Sequence, residues 1–151
     1  MQIDTIFTPG RSNKFRFPLF TCPISAGLPA SVDDYIEGEF ELENLMKHPE
    51  NTIFLKVAGD SMNRACIHDR DMLMVDRAVE PMDGDIAIAV LNGELTVKRL
   101  KWENGLVLVA ENPCYKPIFV NANDDFHIWG VATNVLHRLG RGTKPLGRLS
   151  A

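Results

Sequence analysis

The chain has 151 residues, 45 % of them hydrophobic and 24 % charged, which suits one soluble domain with a core of its own. Its net charge of -4 argues against non-specific nucleic-acid binding, which takes clustered Lys and Arg. No stretch approaches the roughly 18 apolar residues of a membrane span, and Asp4, Arg11, Lys14 and Arg16 stand where a signal peptide needs an apolar run.

Residues 1–26 read as an extended arm. Pro9, Gly10, Pro18 and Pro23 interrupt any helix or strand begun there. Phe15, Phe17, Leu19 and Phe20 give the arm apolar groups that can dock on a groove without forming a core. Residues 27–51 continue as a connector, in which the stretch 33–43 holds six acids and no base. Residues 41–48 are expected to form one short helix, with Leu42, Leu45 and Met46 on one face and Pro49 just after its end.

From Thr52 the pattern changes to short apolar runs. Strands are expected over residues 52–58, 71–75, 85–91, 94–102, 106–110, 117–120 and 126–135. Asn92-Gly93 between two apolar runs is a strong hairpin signal, because both residues tolerate positive φ. Close-spaced strands with no alternating helices predict a mainly β fold, a compact antiparallel domain over residues 52–138 with an extended N-terminal arm. Residues 139–151 carry Gly140, Gly142, Pro145 and Gly147 and few core formers, and are expected to be a disordered tail. Cys22, Cys66 and Cys114 form no CxxC pair, so no disulfide framework, structural zinc or other cofactor is expected, and a reducing cytoplasm is.

The most informative segment is Val57-Ala58-Gly59-Asp60-Ser61-Met62. A strand runs into Gly59, which permits a tight turn and leaves the Ser61 hydroxyl exposed at it. Backbone N–H groups at Asp60 and Ser61 are then free to face a developing oxyanion. A serine after Gly-Asp is far more often an ordinary turn or cap residue. The second piece is Lys98. Strand alternation puts it on one face with Thr96 and Leu100. A lysine among apolar groups loses hydration, which favours its neutral form. A neutral amine can take the proton of a serine hydroxyl, and the Thr96 hydroxyl can orient that amine. Periodicity alone favours a solvated strand lysine.

Several motifs alter that balance. Gly59-Asp60-Ser61-Met62 is followed 37 residues after Ser61 by Lys98, within Thr96-Val97-Lys98-Arg99-Leu100. Phe17-Pro18-Leu19-Phe20, Asp34-Tyr35, His48-Pro49, Gly84-Asp85-Ile86, Gly93-Glu94-Leu95 and Gly130-Val131 fall around them in a consistent order. Together, over residues 15–138, they resemble the LexA/UmuD family of self-cleaving serine peptidases, and its UmuD-like SOS mutagenesis branch above all. The resemblance implies a LexA/UmuD-type peptidase domain with Ser61 as nucleophile, Lys98 as general base and the backbone of Asp60 and Ser61 as oxyanion donors. It also implies a scissile bond between Ala26 and Gly27, within Ser25-Ala26-Gly27, where small residues let an extended backbone enter a narrow cleft. Its repressor members carry a helix-turn-helix ahead of the cleavage site. Twenty-six proline-broken residues do not supply one, so operator binding is not expected.

The same resemblance implies stimulation by a RecA filament on single-stranded DNA, homodimerisation, and a cleaved product that serves a UmuC-like Y-family polymerase subunit in translesion synthesis. Two other functions stay in view: a non-catalytic or regulatory module that keeps the fold, and a signal-peptidase-like enzyme acting on other chains. Weaker site candidates are His68 with Asp69 or Asp71 as a Ser–His–Asp triad, Cys66 with His68 as metal ligands, and Cys22 as a thiol near the cleavage site. Each reads more simply as a loop or arm residue. Trp102 and Trp129 most simply pack on sheet faces.

Overall fold

The protein is described by a computed structural model that places residues 1–7, 16–20, 36–140 and 147. It is mainly antiparallel β. Ten strands form in chain order: β1 (Gln2–Phe7), β2 (Arg16–Phe20), β3 (Ile36–Glu41), β4 (Thr52–Ala58), β5 (Met72–Asp76), β6 (Ile86–Leu91), β7 (Glu94–Trp102), β8 (Leu106–Val109), β9 (Ile118–Phe119) and β10 (Phe126–Leu136). Eight make one sheet in the order β1-β4-β5-β10-β6-β7-β8-β9, and β2 pairs with β3 in a separate hairpin.

Every strand expected after Thr52 is present, with ends that differ by a residue or two. Asn92 and Gly93 take φ of 50° and 84° between β6 and β7, as their turn chemistry requires. The N-terminal segment differs from its sequence expectation. Its prolines do not prevent strands, because Pro18 sits in a two-stranded ribbon where a missing N–H costs little, and Gln2–Phe7 lies ahead of the first proline and pairs with β4. The expected helix over residues 41–48 is instead a single 3-10 turn, Leu42–Leu45, with Leu42 and Leu45 exposed. With no apolar face buried, such a short segment has nothing to stabilise an α-helix. Most of the 139–151 tail lies outside the described residues.

The sheet curls. Register shifts interrupt β1 between Ile3 and Thr5 and β10 between Ile128 and Gly130 and again between Ala132 and Asn134. Such bulges add bend and twist to a strand. The curl carries β1, at one edge, round to β7, where the Val97 N–H donates to the Met1 carbonyl at 3.3 Å. Each face of the sheet holds its own core. Leu55, Val57, Met62, Leu73, Val75, Ile88 and Val97 fill one, with Met1 among them. Ala87, Ala89, Leu100 and Leu108 fill the other. Gly130 allows β10 and β5 to close up: a Cβ there would stand 2.5 Å from Val75 Cγ1.

Candidate active site

Strand β4 ends at Ala58 because Gly59, at φ 96°, turns the chain. Asp69 Oδ1 accepts the Gly59 N–H at 2.8 Å and holds the turn. Ser61 follows, and a 3-10 turn, Asn63–Ala65, carries the chain away. Met62 drops into the core with no exposed surface, which anchors the turn beside its serine.

Lys98 lies in the middle of β7, opposite Ala87, with Thr96 opposite Ala89. Those two small side chains leave room on that face for the lysine stem. The curl of the sheet brings β7 against the end of β4, and Lys98 Nζ reaches Ser61 Oγ at 3.5 Å across 37 residues of chain. It also donates to Thr96 Oγ1 at 2.9 Å and to the Val97 carbonyl at 3.1 Å. Both residues are buried, Ser61 to 1 % exposure and Lys98 to 5 %. Burial pushes the Lys98 amine below its ordinary value of 10.5, with the neighbouring terminal amine opposing the shift.

What covers the pair is Met1. Its amino group donates to Ser61 Oγ at 2.5 Å, its carbonyl takes the Val97 N–H, and its side chain is buried in the core. Burial, aided by the Lys98 charge, lowers that amino group from 8.0 to about 5. Two amines, each held below its ordinary value, therefore flank one hydroxyl. No sequence signal pointed to this contact, because it depends on how the sheet curls.

Other predicted residues take different roles. Asp71 accepts from His137 Nδ1 at 2.5 Å and from the His68 backbone N–H at 2.8 Å. The His68 ring packs edge-on against that of His137, centroids 5.5 Å apart. Among the described residues no imidazole is bonded to Ser61. Cys66 is exposed at a left-handed turn, φ 59°, and Trp102 is 69 % exposed rather than packed. Trp129 lies under the Arg77 guanidinium at 4.7 Å. Ala26, Gly27 and Cys22 lie outside the described residues.

Known proteins bear on this arrangement. The peptidase S24-like family matches residues 18–133. The chain belongs to that family of serine peptidases. It is 38 % identical over 133 residues to the protein ImpA of Salmonella typhimurium, covering 86 % of this chain and 90 % of the relative. It is 36 % identical over 138 residues to the protein MucA of Escherichia coli, covering 90 % and 94 %. It is also 37 % identical over 124 residues to the LexA repressor of Bordetella parapertussis, covering 82 % of this chain and 55 % of that repressor. Among the described residues no helix is long and apolar enough to cross a membrane.

Proposed function

We propose that this chain is a self-cleaving Ser–Lys peptidase of the SOS response. The observation that carries the reading is the approach of a desolvated Lys98 amine to Ser61 Oγ, 3.5 Å away. In that reading neutral Lys98 takes the hydroxyl proton as Ser61 attacks the Ala26 carbonyl. The N–H groups of Asp60 and Ser61 hold the oxyanion, Gly27 leaves as a free amine, and water releases Ala26 from the serine ester. Residues 1–26 are the releasable arm, 27–51 the connector, 52–138 the peptidase domain and 139–151 a tail.

The covered site supports a regulated reaction. A tethered substrate is always at high effective concentration, so restraint must come from the scarcity of the competent state. Met1 holds Ser61 Oγ, and cleavage requires that β1 yield the place to the Ala26 segment. A partner that binds the exchanged state raises the rate by shifting that population. Likeness to LexA, ImpA and MucA supports a RecA filament on single-stranded DNA as that partner, a cytoplasmic homodimer as the acting form, and a UmuC-like Y-family polymerase subunit as the target of the cleaved product.

The test is incubation of the purified chain at neutral and alkaline pH, with and without RecA filament, read on a gel. Loss of residues 1–26, stopped by Ser61→Ala and by Lys98→Ala, is the expected result. No shortening under any condition would mean a non-catalytic module. Cleavage of added foreign chains with the arm intact would mean an enzyme that acts on others.

A further inference from the structure

The turn that bears Ser61 is gripped from outside by three residues of one short segment, Glu111, Asn112 and Tyr115. The Arg64 N–H donates to the Glu111 carbonyl at 2.9 Å, and the Glu111 N–H points to Met62 Sδ at 3.5 Å. The Glu111 carboxylate pairs with Arg99, next to Lys98 on β7. The segment therefore ties the serine turn to the lysine strand. Within it Asn112, 7 % exposed, donates from Nδ2 to the Asp60 carbonyl at 2.9 Å. Its own Oδ1 accepts the Cys114 N–H at 2.9 Å and its carbonyl accepts the Tyr115 N–H at 3.1 Å, so its amide is held in one orientation. The Tyr115 hydroxyl donates to Asp60 Oδ1 at 2.5 Å.

The Asp60 carbonyl and the Ser61 N–H are the two ends of one peptide plane. No cis bond is present among the described residues, so in this planar trans unit they point in opposite directions. The Asn112 amide at 2.9 Å and the Asn63 N–H at 3.2 Å both donate to that carbonyl, and donors that fix it on one side aim the Ser61 N–H to the other. Among the described residues nothing accepts the Ser61 N–H, which leaves it free for a ligand oxygen. We propose that Asn112 is a positioning residue for the Ser61 reaction: it holds the Asp60 carbonyl so that the Ser61 N–H faces the oxyanion, and Tyr115 steadies the same residue through its side chain. Asn112 touches no reacting atom. The inference rests on the reading of Ser61 as nucleophile.

The experiment compares two reactions of the full chain. Self-cleavage passes through an oxyanion. Alkylation by iodoacetamide of the thiol introduced by Ser61→Cys, in a chain whose Cys22, Cys66 and Cys114 are replaced by serine, does not, since it displaces iodide directly. Asn112→Leu and Asn112→Ala are expected to slow self-cleavage about 100-fold, the loss typical of one oxyanion donor. The pH midpoint of cleavage and the alkylation rate stay unchanged. Tyr115→Phe, at an exposed site, keeps the fold if the asparagine variants do not, and is expected to slow cleavage by a smaller factor with the same selectivity. An unchanged cleavage rate, or equal losses in cleavage and alkylation, would overturn the positioning role while leaving Ser61 as nucleophile. Failure of the unaltered chain to shorten at any pH or with RecA filament would strike the nucleophile reading itself, and this inference with it.

Discussion

Lys98 donates to Thr96 Oγ1 at 2.9 Å, from two positions along the same face of β7. That bond is shorter than the 3.5 Å approach to Ser61 Oγ, so the threonine restrains the amine a small movement short of the proposed dyad. Thr96→Val keeps the shape and strand preference and removes the acceptor. Self-cleavage is expected to fall about tenfold, the equivalent of one hydrogen bond of about 1.4 kcal/mol. A gel time course measures it, and an undiminished rate would show that the threonine does not orient the amine.

The depressed Lys98 value has two consequences for pH. Self-cleavage is expected to rise with pH through a midpoint below 10.5, the ordinary value of the amine, because in the proposed reaction only the neutral form accepts the serine proton. Stability follows the same group. Between its folded value and 10.5 the native chain binds fewer protons than the unfolded chain, so stability rises with pH across that window and is lowest below it. Lys98→Met removes the buried amine. It is expected to abolish cleavage, and to raise denaturant stability at neutral pH by an amount that shrinks as pH rises toward 10.5. A neutral-pH loss of stability would show that the bonds to Thr96 and Val97 outweigh desolvation.

In the proposed reaction the cleavage segment takes the place that Met1 and β1 hold over Ser61. Deleting residues 1–7 is expected to raise neutral-pH self-cleavage about tenfold, a release of about 1.4 kcal/mol from the barrier, while lowering the melting temperature because Met1 belongs to the core. Faster cleavage from a less stable protein is an unusual pairing. Slower cleavage would mean that β1 supports the substrate instead of excluding it.

Gly130 sets the spacing of β5 and β10. A Cβ there meets Val75 Cγ1 at 2.5 Å and the Asp76 carbonyl at 3.2 Å, and the carbonyl cannot swing aside. Gly130→Ala is expected to cost about 1–3 kcal/mol by overpacking, read by denaturant unfolding. A stable variant would mean that the bulge at Ile128–Gly130 relaxes to make room.

Asp76 is buried at the end of β5, where its carboxylate accepts from the Ala78 N–H and pairs with His48 at 2.8 and 2.7 Å. Burial alone would raise its pKa. The bonds to Ala78 and His48 outweigh it and hold the carboxyl below 3.8. A depressed carboxyl contributes stability that is full above its unfolded value and lost as pH falls through its folded value. Asp76→Asn is therefore expected to cost about 1–3 kcal/mol at neutral pH, a difference that narrows below pH 3.8. A penalty that stays constant into acid would exclude the ionised carboxylate as its source.

The strands after Thr52, the Asn92-Gly93 hairpin and the turn at Gly59 were all legible in the sequence, because each is set by neighbours a few residues away: alternating apolar side chains and glycines that supply positive φ. The motif around Ser61 and the Thr96–Lys98 pair were legible as residue types in a known order. That Ser61 and Lys98 meet followed from the family resemblance and from no local pattern. Their distance depends on the curl of a sheet that sets three strands between β4 and β7, and the curl comes from bulges that no local pattern announces. Met1 against Ser61 and Asn112 against Asp60 belong to the same class. Long-range contacts are chosen by the packing of whole layers, so only the tertiary structure decided that Ser61 and Lys98 lie together, buried, and covered by Met1.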